Sequence, residues 1–181
     1  KMNSKPAGDN ISEELISSAY EQFRNGFDEE YGGFFRAPKF PSPHNLIFLM
    51  RYRYSYDNEF ALDMVTKTLN QMRLGGIYDQ IGFGFHRYST DKRWLVPHFE
   101  KMLYDQAMIA MAYTEAFHIT GNKIFANTSK EIFNYVLRDL TDQNGGFYSA
   151  EDADSEGEEG KFYTWTEKEI EEVLGSKLSK D

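Results

Sequence analysis

The chain has 181 residues, 40% of them hydrophobic and 27% charged, which places it among globular chains of one or at most two domains that can bury a core. With 29 Asp and Glu against 20 Lys and Arg, the net charge of −9 leaves no basic field for nucleic acid, and a cysteine count of 0 excludes disulfides, thiolate nucleophiles and Cys-ligated zinc. No apolar run approaches the roughly 18 residues of a membrane span and no secretory signal opens the chain, so the expectation is a soluble, cytoplasmic protein without a membrane partner.

Ile11, Leu15, Ala19 and Phe23 recur at helical spacing and predict a first helix that Asn25-Gly26 closes. Ser42 as N-cap and Pro43 at the first helical position open a second, ending near Tyr56. Asp57 is expected to cap a third, which carries Ala61, Leu62, Val65, Leu69 and Met72 and stops at Gly75-Gly76. Pro97 opens a fourth helix to about Ile119; after the turn Thr120-Gly121 a fifth runs from Asn122 to Leu140. Thr166 with Glu169 forms a capping box for a sixth. The fold class is therefore all-α.

Short turns alternate with long Gly- and aromatic-rich loops at about 26–42, 75–97 and 141–165. In an up-and-down helical array every second connection emerges at the same end, so the three long loops share one face. Each carries a related phrase, Tyr31-Gly32-Gly33-Phe34, Gly75-Gly76-Ile77-Tyr78 and Gly145-Gly146-Phe147-Tyr148, which reads as a degenerate repeat. Leu103 to Tyr113 holds only one charge, Asp105, and reads as an inner helix, whereas residues 122–140 are amphipathic and read as an outer one. Alternating inner and outer helices are the pattern of an (α/α) toroid, of which six helices are about half. The open edges of a half ring predict a homodimer through exposed apolar helix faces.

Candidate chemistry concentrates at residues 75–105, where Asp79, His86, Arg87, Asp91, His98, Glu100, Lys101 and Asp105 surround a long loop and the start of the inner helix. Asp105, seven residues after His98, is read first as a positioning group, because a buried carboxylate needs a partner. In a second constellation, residues 149–160 with Glu151, Asp152, Asp154 and Glu156 read as a solvated acidic loop or as carboxylates lining the cleft; Asp152, Asp154 and Glu156 with Gly157 mimic positions 1, 3, 5 and 6 of a calcium loop, but position 12 falls on Tyr163 where a bidentate Glu is required, so no metal is assigned. Gly82-Phe83-Gly84-Phe85 is not a phosphate loop. Arg36-Ala37-Pro38-Lys39 is a stiff, basic entry to an inner helix, read as fixing loop geometry in preference to binding an anion.

Three phrases, GGFFRAPKFPSP at 32–43, GGIYDQIGFGFHRYSTDKRWLVPHFEKMLYDQA at 75–107 and GGFYSAEDADSEGEEGKFYTW at 145–165, resemble the YyaL-like family that includes spermatogenesis-associated protein twenty. The resemblance spans nearly the whole chain after about residue 10. It departs at Phe83, where a third Gly is usual, and at Gln106, where Asn is common. It implies a thioredoxin-like domain fused to a six-hairpin glycosidase-like toroid, with residues 1–181 a single partial toroid domain lacking the upstream domain and the later hairpins. For the full-length protein it also implies carbohydrate chemistry of the N-acylglucosamine 2-epimerase or glycoside hydrolase kind on a sugar-like ligand; no cofactor is expected. His86, His98, Glu100 and Asp105 are the implied catalytic set, and Asp79, Arg87, Trp94, Tyr104, Glu151, Asp152 and Asp154 the substrate-binding set.

Two chemistries stay open for such a cleft. A histidine pair, His86 and His98, suits proton abstraction beside a carbonyl. Glycoside cleavage would instead need two of Asp79, Glu100, Asp152 and Asp154 about 5–5.5 Å apart for retention or about 6.5–9.5 Å for inversion. A different class of function, a non-catalytic domain that holds a ligand or partner in the same cleft, predicts paired residues without acid–base geometry.

Overall fold

The computed structural model describes residues 12–179. Within them lie six helices: α1 (Glu13–Gly26), α2 (Pro43–Tyr56), α3 (Glu59–Leu74), α4 (Leu103–Thr120), α5 (Lys123–Asp139) and α6 (Glu167–Leu178). Two-residue strands lie in the loops: β1 (Tyr88–Ser89), β2 (Pro97–His98), β3 (Lys101–Met102), β4 (Thr141–Asp142), β5 (Gly146–Phe147), β6 (Ala150–Glu151), β7 (Asp154–Ser155) and β8 (Glu158–Glu159). They pair antiparallel as β1 with β2, β3 with β6, β4 with β5 and β7 with β8, too short to form a sheet layer, so the class is all-α.

Local chemistry sets most helix ends. Ser12 caps α1 by accepting the Leu15 N–H, Asn122 caps α5 through Ile124, and Thr166 with Glu169 completes both halves of a capping box on α6. Ser42 does stand at the N-cap of α2, but its backbone is left-handed and its hydroxyl makes no cap bond; Pro43 at the first position sets that start. Asn58, not Asp57, caps α3, because Asp57 adopts the left-handed conformation that ends α2. The largest departure is α4. It begins at Leu103, not at Pro97, because Pro97 and His98 pair with β1 while Lys101 and Met102 pair with β6.

On α1 the inward side keeps only part of the expected stripe. Ile11 lies outside the described residues, and Leu15 is exposed. Tyr20 is the buried residue instead, stacked on Tyr52 at 4.3 Å with its hydroxyl donating to Asn58, and Phe23 packs on Phe34 and Phe48. Ala19 and Phe23 of the stripe do face inward, so the departure is confined to Leu15 and the added Tyr20.

Helix α2 packs on α3 and α4, and α4 packs on α5. The core runs through Leu46, Leu49 and Met50 of α2, Met64, Val65, Leu69 and Met72 of α3, Ile109, Ala112, Tyr113 and Ala116 of α4, and Phe125 and Ile132 of α5. Small residues on α4 allow this double approach. Leu103, Ala107, Ile132, Phe133, Val136, Leu137 and Phe147 line an apolar groove of about 390 Å³. The apolar residues Ile170, Val173, Leu174 and Leu178 of α6 are also exposed. No helix among the described residues is long and apolar enough to cross a membrane.

The three long loops meet at one end of the array. Loop one joins loop two through reciprocal Lys39–Ser89 backbone bonds and through Trp94 Nε1, which donates to the Tyr31 carbonyl at 2.9 Å. Loop two joins loop three through the β3–β6 pair. One residue crowds two of the three Gly-Gly phrases: a Cβ on Gly33 would stand 2.5 Å from the Trp94 ring, and one on Gly75 would stand 2.3 Å from the Trp94 backbone carbonyl oxygen. The third phrase differs, since Gly145 and Gly146 have open space around them. Lys39, the basic residue of the Pro-rich entry, turns inward to bind Asp28 at 2.5 Å and the Gly32 carbonyl, which fixes loop geometry as expected.

Candidate functional site

Extended backbone sends successive side chains to opposite sides, and residues 100–102 and 150–152 use this to divide the loop face. Glu100 turns to one side, where it pairs with the Arg87 guanidinium; the Arg87 N–H also donates to the Glu100 carbonyl at 2.8 Å. His98 stands beside them, its Nε2 3.8 Å from Glu100, its Nδ1 2.6 Å from Glu159 and its ring stacked on Tyr88. Asp105 sits in the first turn of α4. With Tyr104, Phe40, Pro41, Ser42, His44 and Met108 it lines an open hollow of about 270 Å³ between the starts of α2 and α4.

Asp105 is the most perturbed carboxyl of this side. Burial, which Arg87 opposes and Glu100 reinforces, pushes it up to about 6. Among the described residues its carboxylate has no hydrogen-bond partner, so the partner expected for it from His98, Arg87 or a tyrosine is not bonded to it. A carboxyl held near neutrality in an open hollow can both take and give a proton at physiological pH.

Lys101 and Glu151 turn to the other side. The Lys101 ammonium is buried, donates to Asp79 at 2.8 Å and to the Phe83 carbonyl at 2.9 Å, and lies over the rings of Tyr135 and Tyr163. Glu151 accepts the hydroxyls of Tyr135 at 2.7 Å and Tyr163 at 2.5 Å. Burial and these bonds raise both phenols well above their ordinary value. Burial alone would push Asp79 up, but the Lys101 bond and charge and the N–H groups of Gly82 and Ile81 outweigh it and hold Asp79 below the usual carboxylate range.

Two expected cleft residues lie beneath the surface. His86 is 2% exposed; burial and the nearby Lys101 charge lower it to about 4, so it is neutral, with Nδ1–H donating to the Phe99 carbonyl at 2.9 Å. Its ring meets Phe99 and Tyr163 edge-on while those two stack on each other, so it supports the floor and does not face a ligand. Trp94 is 0% exposed and locks loops one and two, which removes it from any binding surface. Asp152 and Asp154 are exposed, with the Asp152 carboxylate accepting the Asp154 N–H in a local turn, as Asp91 does for Arg93 and Val96. Among the described residues no group of three or more His, Asp or Glu is placed to hold a metal ion.

Sequence reasoning missed several participants, among them Glu159 and Tyr88, which brace His98. His44 reaches the hollow only because α2 and α4 start side by side. Tyr135, on the outer helix, carries no local signal of its bond to Glu151. Gln106 holds the Phe85 N–H and carbonyl with both ends of its amide, at 2.8 and 2.6 Å, and pins α4 to loop two.

Asp105→Asn is expected to stabilise the fold at pH 7. A carboxyl raised in the folded state favours folding fully below its unfolded value of about 3.8 and loses that contribution as pH rises through about 6. The gain over wild type should therefore appear between pH 4 and 6 and vanish below pH 4 in urea denaturation. A variant that is less stable at pH 7 would mean that the carboxylate is held by a compensating contact.

No family model matches the chain. Spermatogenesis-associated protein 20 of Mus musculus is 51% identical over 170 residues, covering 88% of this chain and 22% of that protein. An uncharacterised protein of Caenorhabditis elegans is 42% identical over 181 residues, covering 93% of this chain and 25% of that protein. The chain spans about a fifth of the length of the mouse relative. Among solved structures, a sugar epimerase from a ruminal bacterium superposes with a TM-score of 0.64 at 17% identity, over 76% of this chain and 40% of that one. A family 76 glycoside hydrolase, the alpha-mannanase of Bacteroides thetaiotaomicron, superposes with a TM-score of 0.62 at 16% identity, over 81% of this chain and 43% of that one. At such identities the likeness is one of fold: the helical hairpins are part of a six-hairpin (α/α)6 toroid.

Proposed function

We propose that this chain, which belongs as a segment to the family of spermatogenesis-associated protein 20, supplies one side of a carbohydrate cleft in which Asp105 moves a proton. The observation that carries the reading is the Asp105 carboxyl, held at about 6 and unpaired at the start of an inner helix, in a fold shared with sugar epimerases. Arg87 and Glu100 form a fixed ion pair beside it, suited to orienting sugar hydroxyls, and His98 supplies a second proton-transfer group braced by Glu159 and Tyr88.

Proton abstraction beside a carbonyl is favoured over glycoside cleavage. Of the carboxyls named for cleavage, Asp79 and Glu100 lie on opposite sides of the strand, each committed to a cation, and Asp152 is turned to the Asp154 N–H in an exposed turn; Glu100, the one carboxyl beside Asp105, is held by Arg87. The histidine pair is replaced by His98 and Asp105, because His86 is under the floor. The non-catalytic reading draws support from the full pairing of Lys101 and Lys39, which makes much of the charged cluster scaffold.

The test is isotope exchange. In D2O, the full-length protein that carries this segment should place deuterium at C2 of D-mannose or of the reducing sugar of cellobiose above a protein-free control, read by proton NMR, whereas residues 1–181 alone, supplying one side of the cleft, should do so weakly or not at all. Asp105→Asn should lower that rate by about 10²–10⁴ with the fold intact. Exchange that is absent, or unchanged in Asp105→Asn, would remove the proton-transfer reading.

A further inference from the structure

On the side of the β3–β6 pair away from Asp105 lies a larger cavity, of about 610 Å³, floored by Asp79, Lys101, Tyr135 and Glu151. Phe162, Tyr148, Arg138 and Asp139 are at its rim. We propose that this cavity is a second recognition site, for one ring of a neutral or amino saccharide, gripped between the exposed aromatic rings of Phe162 and Tyr148.

The floor offers both kinds of hydrogen-bonding group in fixed positions. Each Glu151 oxygen accepts one phenol hydroxyl and keeps lone-pair capacity for a ligand O–H. Lys101 uses two donors on Asp79 and Phe83 and stays locked by Tyr135 and Tyr163. The Arg138 guanidinium is anchored by one terminal nitrogen on the Gly82 carbonyl and on Asp139, which keeps its other terminal nitrogen for a ligand. A polyol, whose hydroxyls both give and take hydrogen bonds, matches such a mixture better than a purely apolar or purely charged ligand.

The walls supply the rest. Phe162 is 71% exposed and Tyr148 50% exposed. Tyr148 is held upright by its hydroxyl, which donates to Asp142 at 2.6 Å, while Phe162 packs edge-on against Tyr163. Flat rings presented above a polar floor suit the C–H face of a sugar ring. The volume lies within the roughly 300–1,000 Å³ of small-molecule sites. Charge narrows the class: three carboxylates, Asp79, Asp139 and Glu151, face two cations, Lys101 and Arg138, so a phosphate or uronate would meet net repulsion.

The inference does not depend on proton transfer at Asp105, since the two hollows lie on opposite sides of the strand pair. Saturation-transfer difference NMR on the full chain with cellobiose, D-glucosamine and D-glucose 6-phosphate tests it. Cellobiose and D-glucosamine should receive saturation, and D-glucose 6-phosphate should bind several-fold more weakly. Phe162→Ala and Tyr148→Ala should each weaken binding about ten-fold, while Tyr148→Phe, which keeps the ring, retains it. Phe162→Ala should leave any Asp105-dependent isotope exchange in place, so loss of exchange in the wild-type chain would bear on the other hollow alone. Absence of saturation transfer to both neutral and amino sugars overturns the assignment. So does binding that survives both alanine variants, or that disappears in Asp105→Asn and not in Phe162→Ala.

Discussion

Trp94→Ala is expected to destabilise the chain by about 3–5 kcal/mol, the range for truncating a buried large aromatic residue. Three separate losses combine. The ring, fully buried against Gly33, would leave a cavity that the flanking glycines cannot fill. The Tyr31 carbonyl would lose the indole N–H. Loops one and two would then be joined mainly by the Lys39–Ser89 bonds. Trp94→Phe restores much of the volume but not the donor, and should fall between wild type and alanine. Urea denaturation at constant pH gives both values. A change under about 1 kcal/mol for alanine would show that the loops hold together without this wedge, and would reopen Trp94 as a ligand-facing residue.

Lys101→Met should cost a similar amount, about 3–5 kcal/mol, because it leaves the Asp79 carboxylate nearly buried and without its cation. The Phe83 carbonyl loses a donor in the same step. The double variant Lys101→Met with Asp79→Asn should recover part of the loss, since no unpaired charge then remains. Acid behaviour supplies an independent check. Asp79 is held below its ordinary value, so its contribution is full above the unfolded value of about 3.8 and is lost as pH falls through the lower folded one. Lys101→Met should flatten that acid limb. If it leaves both stability and the acid limb unchanged, the pair is held too loosely to organise the floor of the cavity.

Helix count, the all-α class, the hairpin order and the shared loop face were all legible, because apolar spacing and turn residues act locally. The capping box at Thr166 and the cap at Asn122 sit where their side-chain chemistry demands. What local pattern could not reveal was competition from distant partners. Pro97 is a good first residue for a helix, yet His98 and Lys101 gain more from pairing with Tyr88 and Glu151, one ten and the other fifty residues away. Leu15 fits an apolar stripe, yet Tyr20 finds Tyr52 and Asn58.

The candidate site shows the same limit more sharply. Position along the chain put His86, Glu100, Lys101 and Asp105 in one cluster, but it carries no sign for which side of a strand a side chain takes. Alternation along the extended backbone separates Glu100 from Lys101, and packing of Phe99 and Tyr163 sinks His86. The neighbouring start of α2 brings His44, which lies 61 residues before Asp105, to the same hollow.

The contrast between the chain's two tryptophans gives it built-in optical probes. Trp94 is fully buried, and Trp165, three residues beyond Phe162, is 56% exposed. Their emission should separate into a blue-shifted component shielded from acrylamide and a red-shifted component quenched by it. Trp165→Phe would leave a fluorophore that reports only whether loops one and two stay interlocked. Trp94→Phe would leave an exposed one just ahead of α6, three residues along the chain from Phe162. Opening of the interlocked loops and motion ahead of α6 can thus be timed separately, one in each single-tryptophan variant, without attaching any label.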